Sequence, residues 1–357
     1  MTPEFSPKPR SLAWPSRFAI SLLILSACST LVAQSVFFER VDIVTGLPLA
    51  GNVLTGDFNN DGKPDIILDT LTSSEGASVF LLLGNGDGTF SPPTRLWGWL
   101  GAPKAADVNA DGNLDLVFTD GSNIWVTLGK GDGTFGDYIK SPLTAGAGGR
   151  HLVVDLNRDG KPDVVLVLQD GGLALALGNG DGTFGSFTTY PLSGGGVAGY
   201  VAAADFRGAG KMDLGATNEG TPPYYRGATV SVLSGNGDGT FGPATDFTAG
   251  EGAFRLVTGD FNGDGKIDLG VGNYHSASVS VLLGNGDGTF LPKTDFYVGE
   301  FPVALGSADF NGDGKLDFAV GGAPLALSIL SGNGDGSFAV KQDFPSANSI
   351  KSLEVAD

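Results

Sequence analysis

Apolar residues along this chain come in short runs that are separated by Gly, Asp, Asn and Pro. Between residues 303 and 344 the runs are "VALGSADF", "LDFAVGG", "ALSILSG" and "SFAVKQDF". None keeps the 3.6-residue period of an amphipathic helix. Short apolar runs bounded by turn residues are typical of β-strands. The pattern therefore predicts four short strands in this segment and no long helix.

The same arrangement recurs along the chain, because one polar motif and its apolar flanks appear six times. The motif starts at Asp 57, 107, 155, 205, 260 and 309, in "GDFNNDGKPDIIL", "ADVNADGNLDLVF", "VDLNRDGKPDVVL", "ADFRGAGKMDLGA", "GDFNGDGKIDLGV" and "ADFNGDGKLDFAV". A second motif, "GNGDGTF" or a close variant, is interleaved at 84–90, 129–135, 178–184, 235–241, 284–290 and 332–338. Successive copies start about 50 residues apart, and a period of this length indicates an array of supersecondary units.

Four strands in each repeat of about 50 residues describe the blades of a β-propeller. The alternative is a linear β-solenoid, whose coils are usually shorter. Residues 35–46 resemble the fourth strand of a unit, and "LEVAD" at 353–357 resembles the start of a first strand. We therefore predict an all-β, seven-bladed β-propeller with six complete four-stranded blades, an N-terminal outer strand and a truncated seventh blade.

The first 33 residues differ from the repeats and predict an export signal. Lys8, Arg10 and Arg17 precede an apolar run at 18–27, which is too short for a confident membrane span. A buried helix is the alternative. Cleavage near Ala33 and lipid attachment at Cys28, where "LSAC" resembles a bacterial lipobox, both remain open. We expect a propeller domain at 34–357 that is secreted or displayed on the cell surface, with a periplasmic or outer-membrane lipoprotein as the alternative.

Composition places the chain among large folded acidic domains. Its 39 acidic residues give a net charge of −18, yet 41% of its residues are hydrophobic, unlike a disordered acidic chain. A basic patch for nucleic acid is not expected at this charge. Cys28 is the single cysteine, so no internal disulfide is possible. We expect a monomer whose only membrane attachment would be a lipid at Cys28.

The acidity is concentrated in the recurring polar motif, whose spacing fits a calcium loop. In the fifth copy, Asp260, Asn262, Asp264 and Asp268 stand at positions one, three, five and nine, with Gly265 at six. Ca²⁺ takes six to eight oxygen ligands, and a carbonyl at position seven can add one. Five copies are intact, which predicts about five Ca²⁺ sites at Asp57, Asn59, Asp61, Lys63 and Asp65; Asp107, Asn109, Asp111, Asn113 and Asp115; Asp155, Asn157, Asp159, Lys161 and Asp163; Asp260, Asn262, Asp264, Lys266 and Asp268; and Asp309, Asn311, Asp313, Lys315 and Asp317.

The flanks of Asn-Gly-Asp-Gly decide between a metal loop and a turn. Two of its seven occurrences, 262–265 and 311–314, lie in calcium loops. The other five lack an acid at positions one and nine, as with Leu83 and Ser91, and predict hairpin turns. Because the acids of each loop repel one another without metal, we expect calcium to stabilise the domain. The alternative is that the loops are only Asx-turns.

The fourth copy departs from the pattern. Arg207 and Ala209 replace the Asn and Asp of positions three and five, while Asp205 and Asp213 remain. We expect no metal there. The Arg207 guanidinium could replace the cation between the two carboxylates, or it could point to solvent.

These motifs resemble FG-GAP repeats, also described as VCBS-type repeats, best known from the seven-bladed head of integrin α subunits. Phe135–Gly136, Phe184–Gly185 and Phe241–Gly242 supply the "FG", and residues 101–103 supply one "GAP". The resemblance covers about residues 35–357. It implies a propeller with calcium in the loops that join strands one and two. The family spans adhesion, carbohydrate binding and accessory domains of exported enzymes.

Strand alternation places both repeated motifs on one face of the propeller and the variable segments on the other. Loops on a rigid scaffold commonly carry function. The candidate ligand contacts, in segments 96–104, 217–227 and 272–277, are Trp97, Trp99, Tyr224, Tyr225, Arg226, Tyr274 and His275. Packing between blades is the alternative for the two tryptophans, and a structural role is the alternative for Tyr224 and Tyr225.

No catalytic constellation is apparent in the sequence. The two histidines, His151 and His275, form no triad or zinc motif, and a structural role is expected for His151. We expect a non-catalytic module that binds a carbohydrate or a protein. The alternatives are the targeting or catalytic domain of a calcium-dependent polysaccharide-degrading enzyme and a purely structural cell-surface element.

Overall fold

The computed structural model describes residues 50–70, 78–98, 102–143, 146–192, 196–299, 301–322, 326–346 and 350–355. These residues form β-strands and turns, and no helix occurs within them. Nothing helical in the described ranges could therefore cross a membrane. The expected export signal, with Cys28, and the expected outer strand at 35–46 lie outside the described residues.

The strands form six sheets of four, which we number as blades one to six. Blades one to three comprise β1 (Ala50–Gly56), β2 (Asp65–Thr70), β3 (Ser78–Leu82) and β4 (Thr94–Gly98); β5 (Lys104–Ala106), β6 (Asp115–Thr119), β7 (Asn123–Gly129) and β8 (Phe135–Pro142); and β9 (Ala147–Val154), β10 (Asp163–Leu168), β11 (Leu173–Ala176) and β12 (Thr188–Tyr190). Blades four to six comprise β13 (Val197–Ala204), β14 (Asp213–Gly220), β15 (Thr229–Gly235) and β16 (Phe241–Thr248); β17 (Ala253–Gly259), β18 (Asp268–Asn273), β19 (Ser278–Leu282) and β20 (Thr294–Tyr297); and β21 (Pro302–Ala308), β22 (Asp317–Gly322), β23 (Ala326–Leu330) and β24 (Gln342–Pro345).

Every blade is an antiparallel meander in chain order, and its first strand contacts the first strand of the next blade. The first strands therefore form the inner ring, and the predicted propeller is confirmed in place of a solenoid. Six blades are described, and the seven-blade count stays a prediction. Residues 353–355, where "LEVAD" predicts a first strand, are irregular in the described residues. Ile350 and Leu353 pack on a blade-six cluster that includes Ala319 and Ile329.

The core lies between neighbouring blades. Second strands are buried along their whole length, as in β10, because blade three is covered by blade two on one side and by blade four on the other. From blade two onward, the Phe that ends the turn motif packs on the blade before it. Phe135 lies 6.2 Å from Phe58, and Phe290 lies 5.5 Å from Phe206, measured between ring centroids. The repeated "TF" thus supplies an inter-blade contact.

The fourth strand of blade six begins later than the sequence pattern predicts. The run "SFAVKQDF" starts at residue 337, but β24 starts at Gln342. Phe338 forms an isolated bridge with Gly332, and the Ala339 N–H then donates to the Ser331 carbonyl at 2.8 Å. The ladder is interrupted after this pair, so the apolar run is longer than the strand.

Candidate metal loops and ligand face

All six polar loops join the first and second strands of their blades and share one backbone conformation. In the fifth loop, Asp260 accepts hydrogen bonds from the N–H groups of Asp264 at 3.1 Å and Gly265 at 2.8 Å. The Asn262 side chain accepts from the Asp264 N–H at 3.0 Å, and Asp264 accepts from the Lys266 N–H at 3.0 Å. The polar side chains at positions one, three and five are thus oriented by the loop's own amides.

The Asp at position nine connects the two repeated motifs of each blade. Asp65 is fully buried, and its carboxylate accepts from the Phe58 N–H at 2.9 Å and from the Gly84 N–H at 2.8 Å. Phe58 belongs to the polar loop, whereas Gly84 begins the turn motif. Asp115, Asp163, Asp268 and Asp317 make the same pair of bonds in their blades. This structural role was not recognised in the sequence, where the residue was interpreted only as a metal ligand.

Positions four and six of the loops both adopt left-handed backbone conformations. The Gly at six does so as expected, with a φ of +78° at Gly265. Position four is Gly263 in the fifth loop, with a φ of +74°, but it is Ala110 in the second loop, with a φ of +59°. Because a side chain is strained in this region, the loop conformation is set by more than local preference.

The acids of one loop act on one another electrostatically. Burial raises the pKa of Asp115 to about 6; bonds from two amides oppose the rise, and the charges of Asp111 and Asp107 add to it. Asp317 follows the same pattern, also to about 6, with Asp313 and Asp309 as its neighbours. Three carboxylates in each of these loops therefore lie close enough to repel one another, and a cation there would relieve that repulsion.

Within the described ranges, no group of three or more Asp, Glu, His or Cys side chains is arranged to hold a metal ion as it stands. Calcium in the five intact loops therefore stays a prediction. The donor set fits a hard cation, since each loop offers three carboxylates, an amide oxygen and a position-seven carbonyl.

The fourth loop carries a cation of its own. Arg207 donates from Nε and Nη2 to the carboxylate of Asp213, with the shortest contact at 2.7 Å, and from Nη2 to the Gly235 carbonyl at 2.5 Å. Asp205 still accepts from the Ala209 and Gly210 N–H groups. The prediction that the guanidinium pairs with an acid of this loop is confirmed for Asp213, and the solvent-facing alternative is wrong.

The turn motif behaves as a turn. In blade one, Asp87 accepts from both the hydroxyl and the N–H of Thr89, at 2.6 and 2.9 Å, and these bonds hold the pKa of Asp87 below its usual value. The turns also tie neighbouring blades together. The Gly133 N–H donates to the Phe58 carbonyl at 3.0 Å, and the Gly336 N–H donates to the Phe261 carbonyl at 3.1 Å.

A lysine at position seven accompanies five of the six loops, and its aliphatic stem lies over a turn glycine. A Cβ built on Gly86 would lie 3.0 Å from the Lys63 side chain, and one on Gly237 would lie 3.1 Å from Lys211. Lys211 belongs to the fourth loop, which lacks the metal pattern. A lysine beside a loop is therefore part of the packing of the blade, with or without the metal pattern.

The opposite face carries the candidate ligand contacts, because loops between strands two and three and between blades lie there. Tyr224 is 71% exposed and Tyr225 is 40% exposed. Tyr274 contacts His275 and Phe301, at centroid distances of 5.1 and 4.7 Å. We call the set Tyr224, Tyr225, Tyr274, His275 and Phe301 the aromatic rim.

Hydrogen bonds connect the two halves of the aromatic rim. Arg226 pairs with Glu251 at 2.8 Å, and the Glu251 carbonyl accepts from the His275 N–H at 3.1 Å. Tyr225 and Phe301 have φ values of +47° and +53°. Such values cost a non-glycine residue about 1–3 kcal/mol and are characteristic of binding and switch sites. Phe301, at 39% exposure, was missed in the sequence because it lies in a linker between blades.

Two of the sequence-predicted residues are structural. Trp97 packs between blades one and two, with ring centroids 5.8 Å from both Phe118 and Phe135, which supports the alternative of packing between blades. His151 is buried, and its Nε2 lies 2.9 Å from the Val117 carbonyl of the neighbouring blade. Burial lowers the pKa of His151 to about 4. Trp99 lies outside the described residues.

A family model described as FG-GAP-like repeat matches residues 107–166, 155–216, 217–271 and 260–320, which together make up more than half of the chain. No curated protein matches the chain in sequence. Among solved structures, a putative 6-phosphogluconolactonase from Bacteroides fragilis is similar with a TM-score of 0.66 and 17% identity, over 90% of this chain and 91% of that one.

Two further structures are similar at comparable coverage. An Agrocybe aegerita lectin, solved for its recognition of non-reducing terminal N-acetylglucosamine, has a TM-score of 0.61 and 23% identity over 85% of this chain and 82% of that one. BBS1N in complex with ARL6DN has a TM-score of 0.60 and 11% identity over 86% of both chains. At these identities the likeness shows the fold alone.

Proposed function

The chain belongs to the FG-GAP-like repeat family, and on that premise we propose that it is an exported, calcium-binding propeller that binds a saccharide without catalysis. The calcium loops stabilise one face of the ring, and the aromatic rim on the opposite face contacts the ligand. Export by residues 1–33 is part of the proposal, either with cleavage near Ala33 or with a lipid at Cys28.

The aromatic rim is the observation that carries this proposal. Exposed planar rings with a polar edge pack well on the C–H faces of sugars, and they lose little conformational entropy on binding. Tyr224 exposes most of its side chain, and two rim residues hold a left-handed backbone. A purely structural element would have no need of that strain on its variable face.

Calcium in these loops would affect ligand binding indirectly, by stabilising the propeller. Asp57, Asp61 and Asp65 and their counterparts in the other four intact loops would hold Ca²⁺, which would supply charge neutralisation and nothing to the ligand directly. The turns of blades two, three, five and six each donate a backbone bond to the loop of the blade before, as in Gly133 to Phe58. Metal in one loop would therefore stiffen the contact with the next blade.

Similar folds include both a lectin and a protein in complex with another protein, so the choice of a saccharide rests on the chemistry of the aromatic rim. The Agrocybe aegerita lectin, which recognises non-reducing terminal N-acetylglucosamine, shares the blade arrangement at 23% identity. We favour a non-catalytic role over a polysaccharide-degrading one because the lysines beside the loops are repeated where the metal pattern is lost, as at Lys211. A targeting role within a larger enzyme is compatible with the proposal.

A glycan array that includes neutral and acidic oligosaccharides tests the proposal, with the protein in calcium and with chelator. Tyr274→Ala and Phe301→Ala should each weaken binding of the best glycan by at least about tenfold. Tyr297→Ala is the matched control, because Tyr297 is 67% exposed but lies on the outermost strand of blade five. Absence of binding to any glycan, or full binding by both rim variants, would overturn the proposal.

A further inference from the structure

Three consecutive inner strands bring two arginines and two aromatic rings together beside the ring axis. Arg150 lies on β9, Tyr200 on β13, and Phe254 and Arg255 on β17. Each of these strands runs toward its polar loop, and all four residues stand in the first half of their strands. The group therefore lies toward the face that carries the aromatic rim. We call these residues, together with Glu219, the arginine cluster.

The rings and guanidinium groups alternate within the arginine cluster. Tyr200 and Phe254 meet edge to face, with centroids 5.4 Å apart and planes at 74°. The guanidinium carbon of Arg255 lies 3.9 Å from the Tyr200 centroid, and that of Arg150 lies 4.8 Å from the Phe254 centroid. Each guanidinium is within 5.3 Å of both rings. Two like charges are thus held side by side on shared ring faces.

Hydrogen bonds balance only one of these two charges within the cluster. Arg150 pairs through Nη1 with the buried carboxylate of Glu219. Arg255 donates instead to two neutral backbone carbonyls, those of Val303 through Nε and Lys351 through Nη2. In the described part of the chain, no carboxylate accepts a hydrogen bond from Arg255.

More distant charged groups do not neutralise the remaining positive charge of the arginine cluster. Burial lowers the pKa of Arg255, and the nearby Arg150 charge lowers it further, whereas Tyr200 and Glu354 raise it. Lys104 faces Glu354 from blade two and offsets that carboxylate in turn. Among the described residues, three cations and two carboxylates therefore act on one another here, which leaves a local positive charge in a chain of net charge −18.

The arginine cluster joins the aromatic rim through the backbone. The Val303 carbonyl that Arg255 contacts is two residues after Phe301, and Arg255 pairs with Gly272, two residues before Tyr274. A saccharide that lies on the rim would therefore have the guanidinium pair within its reach. Guanidinium groups match the planar carboxylate in geometry and form charge-assisted bonds with it.

We propose that the arginine cluster binds the carboxylate of an acidic sugar, so that the ligand is a uronate-containing saccharide. This inference rests on the proposed saccharide-binding function and names the substrate class of that site. Arg255 is the principal contact because its hydrogen-bond partners are neutral. Arg150 contributes the second charge, and Tyr200 and Phe254 fix the separation of the two.

Titration with sodium D-glucuronate against D-glucose at matched ionic strength tests the proposal, with backbone NMR shifts or calorimetry as the readout. Wild type should bind glucuronate at least about tenfold more tightly than glucose, with millimolar affinity. Arg255→Gln should remove that preference, and Arg255→Lys, which keeps the charge, should retain most of it. Arg95→Gln is the control, since Arg95 is exposed on the outer strand β4.

Thermal melting of each variant in the absence of sugar separates loss of binding from loss of folding. Equal affinity of wild type for the two sugars, no detectable glucuronate binding up to about 50 mM, or unchanged preference in a folded Arg255→Gln would each overturn the carboxylate site. Rim-dependent binding of neutral glycans on the array would then still uphold the proposed function. If the array shows no rim-dependent binding but the glucuronate titration is positive, the proposed role of the aromatic rim is overturned and the carboxylate site is retained.

Discussion

The guanidinium of Arg207 contacts both carboxylate oxygens of Asp213, the position-nine acid of the fourth polar loop. In the five intact loops the same acid has only backbone donors, and its neighbours are two further carboxylates. The fourth loop retains the backbone bonds of the others, through Asp205, although two of its polar positions have changed. A covalently attached cation thus occurs in the one loop that lacks the full donor set.

Restoring the donor set should therefore add a metal ion. Arg207→Asn combined with Ala209→Asp should raise the calcium content from about five ions to about six, as counted by native mass spectrometry. The matched control is Ala209→Asp alone, which keeps the guanidinium and should add none. An equal metal content in the double variant and wild type would contradict the expectation.

Removal of calcium should lower the melting temperature, since three converging carboxylates per loop would repel without it. We expect a fall of at least about 10 °C in excess chelator, followed by circular dichroism. Asp264→Asn should bind one ion fewer and show a smaller fall. A melting temperature that chelator leaves unmoved would show that the loops are plain turns.

In chelator, loss of the buried acid of one loop should destabilise the protein more than loss of an exposed acid of the same loop. Asp115→Ala leaves the N–H groups of Val108 and Gly129 without their buried acceptor and should cost about 2 kcal/mol or more in the free energy of unfolding. Asp111→Ala, at an exposed position, should cost much less in chelator, although both variants should lose the calcium of that loop. Denaturant titration measures both, and equal losses would refute the structural role of position nine.

Position four offers a reciprocal pair of substitutions. Ala110→Gly should stabilise the protein by about 0.5–1 kcal/mol, because the left-handed φ of +59° strains a residue with a Cβ. Gly263→Ala, at the same position of the fifth loop, should lose a similar amount. Thermal melts of the two variants check this, and a change of the same sign in both would contradict it.

His151 should make stability depend on pH. Its pKa is lowered by burial from 6.5 to about 4, so the unfolded chain takes up a proton that the folded chain refuses. Stability from this group is present above pH 6.5 and is lost as the pH falls toward 4, by about 2 kcal/mol at pH 4.5. His151→Gln should lose less stability than wild type between pH 7.5 and pH 4.5, as measured by denaturant titration at each pH; an identical loss would be contrary evidence.

Much of the fold could be predicted because the repeat sets the local pattern. Each polar motif marks the end of a first strand, and each turn motif marks the end of a third, so blade boundaries follow from their alternation. The start of the fourth strand could not be placed, because Phe338 extends the apolar run without extending the ladder. The same spacing that predicts Asp65 as a metal ligand does not reveal its bond to Gly84, since the two are 19 residues apart.

The ligand face was harder to predict, because its residues belong to different blades. Trp97 and Tyr224 have similar chemistry in the sequence, yet one is packed against Phe118 and the other is exposed. Arg150 and Arg255 are separated by two whole repeats and meet only because consecutive inner strands are neighbours in a ring. No local pattern marks such a pair, and only the blade arrangement brings it together.

The bond from the Gly133 amide to the Phe58 carbonyl, which recurs between several other blades, places one set of inter-blade bonds on the face that carries the two repeated motifs. Substitutions in the exposed loops of the opposite face leave this set of bonds intact, although side-chain bonds such as that of Arg255 to the Val303 carbonyl also join blades on that side. The loops of the opposite face can therefore change in sequence, or a whole blade can be duplicated, while the two repeated motifs continue to define the blades.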